Sequence, residues 1–449
     1  VAEVIYNLMS FAQRRQVHAR LAEYLEQRAG DDPLRATTIA YHWQAAGEPI
    51  RAQPYLDRAG ELALHTGDYA SAIDLLSKAN QINTDQSSVA IGRRERMLAE
   101  AFYCQGRLGE SYRLVQNAFT HLGMPLPSAR RALLAPVLIE SGRQMLALLG
   151  IRPRTMPAGI DPMEITRAAN LLVQLDYYQR DPLTMLHSLL RALNLAEAAG
   201  LPLARARAYA HMEVALNRLP VCAALYRRKA MRLARELGDP ATIAWAAQMQ
   251  GLAALGRGDW QRAQAALSLG LTIAQQHDET RRWAECRALL CMAQARTGNF
   301  AAALAGAAEV VACGERTRDH QVQVWGRLSA VEIHLAAGDV NAAMAEWQAA
   351  SNLFTDSSRI SRADQIWHTL LAARMAQISG ELQQAHELAL QALHQIHGAP
   401  PLAIYLLRSY EALAQMPLPW RQHWEARFIR WQVGLIFPVA LRARQQRRR

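Results

Sequence analysis

Residues 258–270 read GDWQRAQAALSLG, residues 298–310 read GNFAAALAGAAEV, and residues 338–350 read GDVNAAMAEWQAA. A fourth segment, 380–392, reads GELQQAHELALQA, so the opening glycines stand 40, 40 and 42 residues apart. Counted from each glycine, position +5 is small, +9 is larger in most copies and +12 is usually small. The sets are Ala263/Leu267/Gly270, Ala303/Ala307/Val310, Ala343/Trp347/Ala350 and Ala385/Ala389/Ala392. Gly47, Gly67 and Gly106 open the same pattern through Ala52/Leu56/Ala59, Ala72/Leu76/Ala79 and Ser111/Val115/Ala118.

These offsets are i, i+4 and i+7, which lie on one face of a helix. Small residues let a neighbouring helix approach, and the larger one fills the space between them. The glycine suits the left-handed end of the preceding helix, and the Asp or Asn after it can cap the next. Each unit is therefore helix, tight turn, helix. Stepping back from Gly258 gives two units without the glycine, one at Arg218 (Ala223, Ala230) and one at Arg180 (Leu189, Ala192). A period near 40 with two helices predicts an all-α fold, a tetratricopeptide-like α-solenoid of antiparallel helix pairs, each slightly longer than a 34-residue repeat.

Two stretches interrupt the register. Between Gly106 and Arg180 lie Pro125, Pro127, Pro136, Pro153, Pro157 and Pro162, which predict a helix near 130–149 and then an irregular connector through Pro162. After Gly398, Ala399-Pro400-Pro401 ends the regular repeats, and 402–414 and 419–432 read as two more helices. The expected organisation is the end of a helical or winged-helix module at 1–30, first repeats at 31–122, and the proline-containing helix and connector at 123–163. The main array follows at 164–398, then C-terminal helices and a basic tail at 399–449.

The chain carries 50 Lys+Arg against 39 Asp+Glu in 449 residues, a formal charge of +11. All but two of the basic residues are arginine, the lysines being Lys78 and Lys229. Neither lysine follows a glycine, which excludes a phosphate loop ending in Gly-Lys-Ser/Thr from this chain. Five of the last eight residues, 442–449, are arginine. No basic run interleaved with aromatics, helix-turn-helix spacing or zinc-finger pattern accompanies them, so a solvated tail is expected rather than a nucleic-acid surface. There is neither an apolar run long enough to span a membrane nor a signal peptide at 1–10. The five cysteines are odd in number and lack CxxC spacing, which fits reduced thiols in a cytoplasmic protein.

The first eighty residues bear a family likeness. Gln13-Arg14-Arg15, His18, Ala22-Glu23, Ala40, His42-Trp43, Ala46-Gly47, Ala52, Tyr55-Leu56, Ala59-Gly60 and Ala63 resemble a junction in bacterial signalling ATPases of the STAND class. There an AAA-like NTPase module leads through a small helical or winged-helix module into tetratricopeptide-like repeats. Asp181-Pro182-Leu183, His187, the stretch 191–196 (RALNLA), Gly258-Asp259-Trp260 and Arg282-Trp283-Ala284-Glu285 look like the subgroup linked to adenylate/guanylate cyclase domains. Other members carry a Ser/Thr kinase domain. The catalytic motifs of these proteins are absent here. Phe437-Pro438-Val439-Ala440 resembles a segment after which such proteins continue. The resemblance implies a C-terminal portion of a longer protein, itself not an enzyme, whose ATPase and cyclase or kinase parts lie elsewhere. It implies a sensor solenoid for a protein, a peptide or a small regulatory ligand, coupled to the protein's own N-terminal NTPase module. The alternatives are the sensor of a maltose-regulator-like transcription factor and a free-standing scaffold.

No catalytic, cofactor or metal residues are expected. The fourteen histidines are scattered, His394 and His397 lack a third ligand nearby, and no Gly-x-Ser-x-Gly elbow occurs. Candidate partner-binding residues are aromatic and arginine positions. Arg281, Arg282, Trp283 and Trp325 fall in the first helices of their units, where such solenoids commonly present the concave surface. There Arg can act as a bidentate donor and Trp as an apolar anchor, or the tryptophans simply fill space between helices. Trp424 and Trp431 share a helical stripe with Phe428 and Leu435, which reads as a docking face or as packing of the last helix on the array.

Overall fold

The structure is a computed structural model and describes residues 6, 8–29, 32–82, 87–127, 130–148, 151, 156–179, 181–217, 219–354 and 360–397. The described residues are helical with short turns. The chain forms two compact units, Val1–Leu126 and Pro127–Arg449.

The first unit contains α1 (Phe11–Ala29), α2 (Pro33–Ala45), α3 (Pro49–His65), α4 (Tyr69–Gln81), α5 (Ser88–Cys104) and α6 (Leu108–His121). Successive helices pack as antiparallel neighbours, and the small-large-small positions are buried: Leu56, Leu76 and Val115 are at most 1% exposed. Trp43 of α2 is fully buried; its indole N–H donates to Glu26 Oε1 at 2.6 Å, and the Arg51 guanidinium lies 3.5 Å from its ring centre. Arg94 of α5 reaches back to α3 with two 2.7 Å bonds to the Asp57 carboxylate.

The second unit opens with a 3-10 turn, Arg130–Leu133, and α7 (Leu134–Leu148). Six helix pairs follow. They are α8 (Pro162–Gln179) with α9 (Pro182–Ala199), α10 (Pro202–Ala215) with α11 (Pro220–Leu237), and α12 (Pro240–Arg257) with α13 (Trp260–Gln276). Then come α14 (Thr280–Arg296) with α15 (Phe300–Thr317), α16 (His320–Ala337) with α17 (Val340–Ser351), and α18 (Arg362–Ile378) with α19 (Leu382–His397). The connector is shorter than expected, because Pro162 begins α8 instead of closing the irregular stretch. Proline's fixed φ and missing N–H suit the first helical position, and Pro162, Pro182, Pro202, Pro220 and Pro240 all stand there. Positions 180 and 218, where the glycine-less units were expected to turn, lie outside the described residues. Ala223 and Ala230 beyond them are buried.

The turn within each pair is built as expected. Gly258, Gly298, Gly338 and Gly380 have φ between 69° and 85°. The residue after each glycine donates its N–H to a carbonyl five residues back, as Asp259 does to Ala254 and Asp339 to His334 at 2.9 Å. Asp259, Asn299 and Asp339 then accept from the N–H three residues on, capping the second helix. The turn between pairs repeats as well: Gly200, Gly238, Asp278 and Arg318 all take positive φ, at 38- to 40-residue steps. Because the left-handed conformation costs a non-glycine residue about 1–2 kcal/mol, partly offset by glycine's greater chain entropy, Arg318→Gly is expected to stabilise the protein by about 0.5 kcal/mol. Chemical denaturation of the two proteins checks this.

First and second helices differ in burial. In α12 every residue from Ala244 to Gly256 except Gln250 is buried, whereas its partner α13 buries a stripe of Ala263, Ala266, Leu267, Gly270 and Ala274. The first helices thus form an inner layer covered on both sides, and the second helices an outer layer with one face in water. Tyr178 at the end of α8 stacks on Trp325 of α16, ring centres 6.0 Å apart. α8 and α16 therefore meet along this inner layer.

Candidate functional site

The inner layer of the second unit is not purely apolar. Thirteen residues before each turn glycine stand Trp245, Glu285, Trp325 and Trp367, on α12, α14, α16 and α18. At the Glu285 position α14 also supplies two adjacent arginines. Arg281 places its guanidinium carbon 4.6 Å from the Trp325 ring centre, and Arg282 places its own 4.1 Å from that of Trp245. Glu285 lies between them, accepting from Arg281 Nε at 3.4 Å and Arg282 Nη1 at 3.0 Å. The resulting order across three first helices is Trp, Arg, Glu, Arg, Trp, each arginine held by a carboxylate and stacked on an indole.

Hydrogen bonds carry the chain of contacts further. Arg281 donates to Asp319 and to Gln321, and Gln321 Nε2 donates to Asp364 Oδ2 at 3.0 Å. Asp364 Oδ1 accepts the Trp325 indole N–H at 3.0 Å, and Ser361 caps α18 by accepting the Asp364 N–H at 3.0 Å. On the other side Gln248 of α12 donates to Glu285 Oε2 at 2.9 Å. A polar network therefore joins four consecutive first helices, α12 to α18. Its members are deeply buried: the side chains of Arg281, Glu285 and Asp319 are 6%, 5% and 3% exposed. Burial pushes the Asp364 carboxyl above its ordinary range, against its three hydrogen bonds and the Arg281 charge.

Arg281 and Trp325 come together, but both are buried with internal partners. Arg282 retains 17% side-chain exposure and points to Trp245 rather than to Trp325. Trp283 is half-buried against the apolar cluster of α14 to α18 that contains Ala284, Val322 and Leu328. Trp424 and Trp431 lie outside the described residues. Sequence reading passed over Trp245, Gln248, Gln321 and Asp364. The first was within reach, because counting backward from the glycines exposes the tryptophan column as counting forward exposes the alanines.

Among the described residues no three His, Cys, Asp or Glu side chains stand where they could hold a metal ion, and no helix is long and apolar enough to cross a membrane. The arrangement positions charge and aromatic surface, with hydrogen bonds that run from repeat to repeat.

Two buried groups outside the network titrate in opposite senses. His368 of α18 lies between the Trp347 and Phe354 rings, 4.6 and 3.8 Å away, and burial lowers its pKa to about 4. It favours the folded state above pH 6.5, and that contribution disappears as pH falls through 4. Glu213 is raised to about 7 by burial, against the charges of Arg227, Arg257 and Arg262. Its contribution is present below pH 4.5 and is lost as pH rises through 7. Between pH 6.5 and 4, His368→Phe is expected to lose less stability than the parent, by a difference on the order of 3 kcal/mol. Urea denaturation at a series of pH values measures it.

Comparison with known proteins places the fold. No protein family and no curated protein matches the sequence. The structure is similar to that of a Rap protein complexed with competence and sporulation factor, at 12% identity and TM-score 0.51, covering 94% of this chain and 99% of that one. It is also similar to a STAND protein with a tetratricopeptide repeat sensor from Pyrococcus horikoshii, at 11% identity and TM-score 0.41. That alignment covers 99% of this chain and 66% of the other. A third neighbour is Cut9-Hcn1 of the APC/C, at 14% identity and TM-score 0.30, with 94% and 84% covered. The stacked helix pairs of the described residues, with the likeness to the Rap protein, define the class as an all-α tetratricopeptide-like solenoid.

Proposed function

We propose that this chain is the non-catalytic sensor and interaction solenoid of a STAND-type signalling ATPase, linked to a nucleotidyl cyclase. Its array, 164–398 with the earlier repeats at 31–122, binds a protein or peptide partner, or a small regulatory ligand, and controls catalytic domains outside the chain. The observation that carries this reading is the polar network of the inner layer. A solenoid that served only as a spacer would fill that layer with apolar side chains, since buried ion pairs add little net stability over apolar packing. Here four repeats are tied by bonds that depend on their spacing, so a partner that alters the spacing at one repeat is felt at the next. The N-terminal resemblance at 1–80 supports the placement of the chain after an NTPase module, and the Rap protein, solved with a bound factor, supports partner binding by this fold.

Limited proteolysis of the full-length parent, with and without ATP, tests the coupling. Nucleotide-dependent protection within residues 1–80 is expected. Protection there that is indifferent to nucleotide contradicts it.

A further inference from the structure

The helix that opens the second unit, α7, is mounted with its polar side inward. Leu133, at the end of the 3-10 turn, and Val137, Glu140 and Gln144 along the helix follow i, i+4, i+7 and i+11, and all four are buried. The Asn194 side chain of α9 donates to the Glu140 carbonyl at 3.0 Å and to the Glu140 carboxylate. Gln144 Nε2 donates to Asn194 Oδ1 and, at 3.1 Å, to Glu197 Oε2. These bonds fix the rotation of α7 about its own axis. The opposite side, Ala135, Leu138, Ile139, Gly142, Met145 and Leu146, is exposed and uncharged. Its four large side chains are 47–73% exposed.

The spacing of that stripe is the one helices use to pair lengthwise, three and four residues apart over two heptads. Gly142 stands at its centre. A glycine in the middle of a helix weakens it, and a Cβ at Gly142 would meet no atom within 4 Å. Packing inside the chain therefore does not call for the glycine, whereas a second helix crossing close to that point would.

We infer that α7 pairs with α7 of a second copy of this chain, antiparallel about a twofold axis through Gly142. In that register Leu138 of one copy meets Leu146 of the other, and Ile139 meets Met145, so the stripe complements itself. Arg143, held by Glu140 at 2.7 Å, falls opposite Ser141 and not opposite its own counterpart. The stripe presents on the order of 500 Å² of apolar surface, and two copies together reach about 1,000 Å², the least that a specific interface requires. Such a dimer forms without ligand or nucleotide.

Sedimentation velocity of the full chain over a concentration series tests this, under reducing conditions that keep the exposed Cys222 from cross-linking. A reversible monomer–dimer equilibrium is expected, with a dissociation constant on the order of micromolar. Gly142→Leu is expected to weaken it by about a hundredfold, because the added bulk enters twice at the axis and holds the helices apart. The unfolding midpoint of the Gly142→Leu monomer should hold or rise, since leucine is the better helix former. Ile139→Glu sets two carboxylates into the paired stripe and should weaken the dimer at least as much. Leu269→Glu, at an exposed position on α13, should leave it unchanged. A chain that stays monomeric throughout the series, or a dimer that survives both α7 substitutions, overturns the pairing. A monomer whose unfolding midpoint falls with Ile139→Glu also overturns it, and assigns the stripe to another segment of the same chain.

Discussion

Replacing Arg281 with alanine is expected to lower the stability of the second unit by about 3–5 kcal/mol, the largest effect of any single charge removal in the described array. The guanidinium is held by Asp319, Gln321 and Glu285 and stacks on Trp325. Truncation leaves the nearly fully buried Asp319 carboxylate without a cation and Glu285 with Arg282 as its remaining one. The cost arises chiefly from the orphaned Asp319 and not from the strength of the ion pairs themselves. Arg287→Ala on the same helix is the control. Arg287 bonds Glu309 at 2.7 Å, but that carboxylate is 52% exposed, so water replaces the lost partner and the effect stays near 1 kcal/mol or below. Urea denaturation followed by circular dichroism distinguishes the two, and equal effects would contradict the buried-network account.

Leu267→Ala is expected to cost about 2–5 kcal/mol, whereas Leu269→Ala, two residues along the same helix, should stay within about 0.5 kcal/mol. Leu267 is fully buried between Ala263 and Gly270, and Leu269 is 41% exposed. Leu267 also fills the space beside Gly251 of α12, where a Cβ on the glycine would come within 2.5 Å of the leucine Cγ. The helices approach closely enough there that removal of the leucine opens a void that its small neighbours cannot close. The contrast between two leucines of one helix reads the repeat register directly, since the wrong phase would exchange their effects.

The helix pairs were legible because their signals are local and repeated. A glycine at φ 69–85°, a capping Asp or Asn, and an i, i+4, i+7 stripe each follow from geometry that any neighbour imposes. The turns between pairs were less visible, because Asp278 and Arg318 take the left-handed conformation that glycine advertises elsewhere. Arg281, Arg282 and Trp325 stood out as residue types, but their partners did not. Asp319, Gln321 and Asp364 lie 38 to 83 residues from Arg281 in sequence, and only the stacking of helices brings them to it. The same holds for His211 and Trp245, 34 residues apart and in ring contact. Trp283 was singled out with them yet belongs to an apolar cluster, because on a helix one residue's step turns a side chain by about 100°.

Hydrogen exchange along the second unit tests the central claim most directly, that the inner layer couples repeats beyond nearest neighbours. In Arg281→Ala, faster exchange is expected in α14, in α16 and also in α18, two pairs away, where Asp364 loses the chain of bonds that leads to it. Arg287→Ala should raise exchange only in α14 and α15. Acceleration in Arg281→Ala that stops at α16, matching a solenoid with nearest-neighbour contacts alone, would contradict the account.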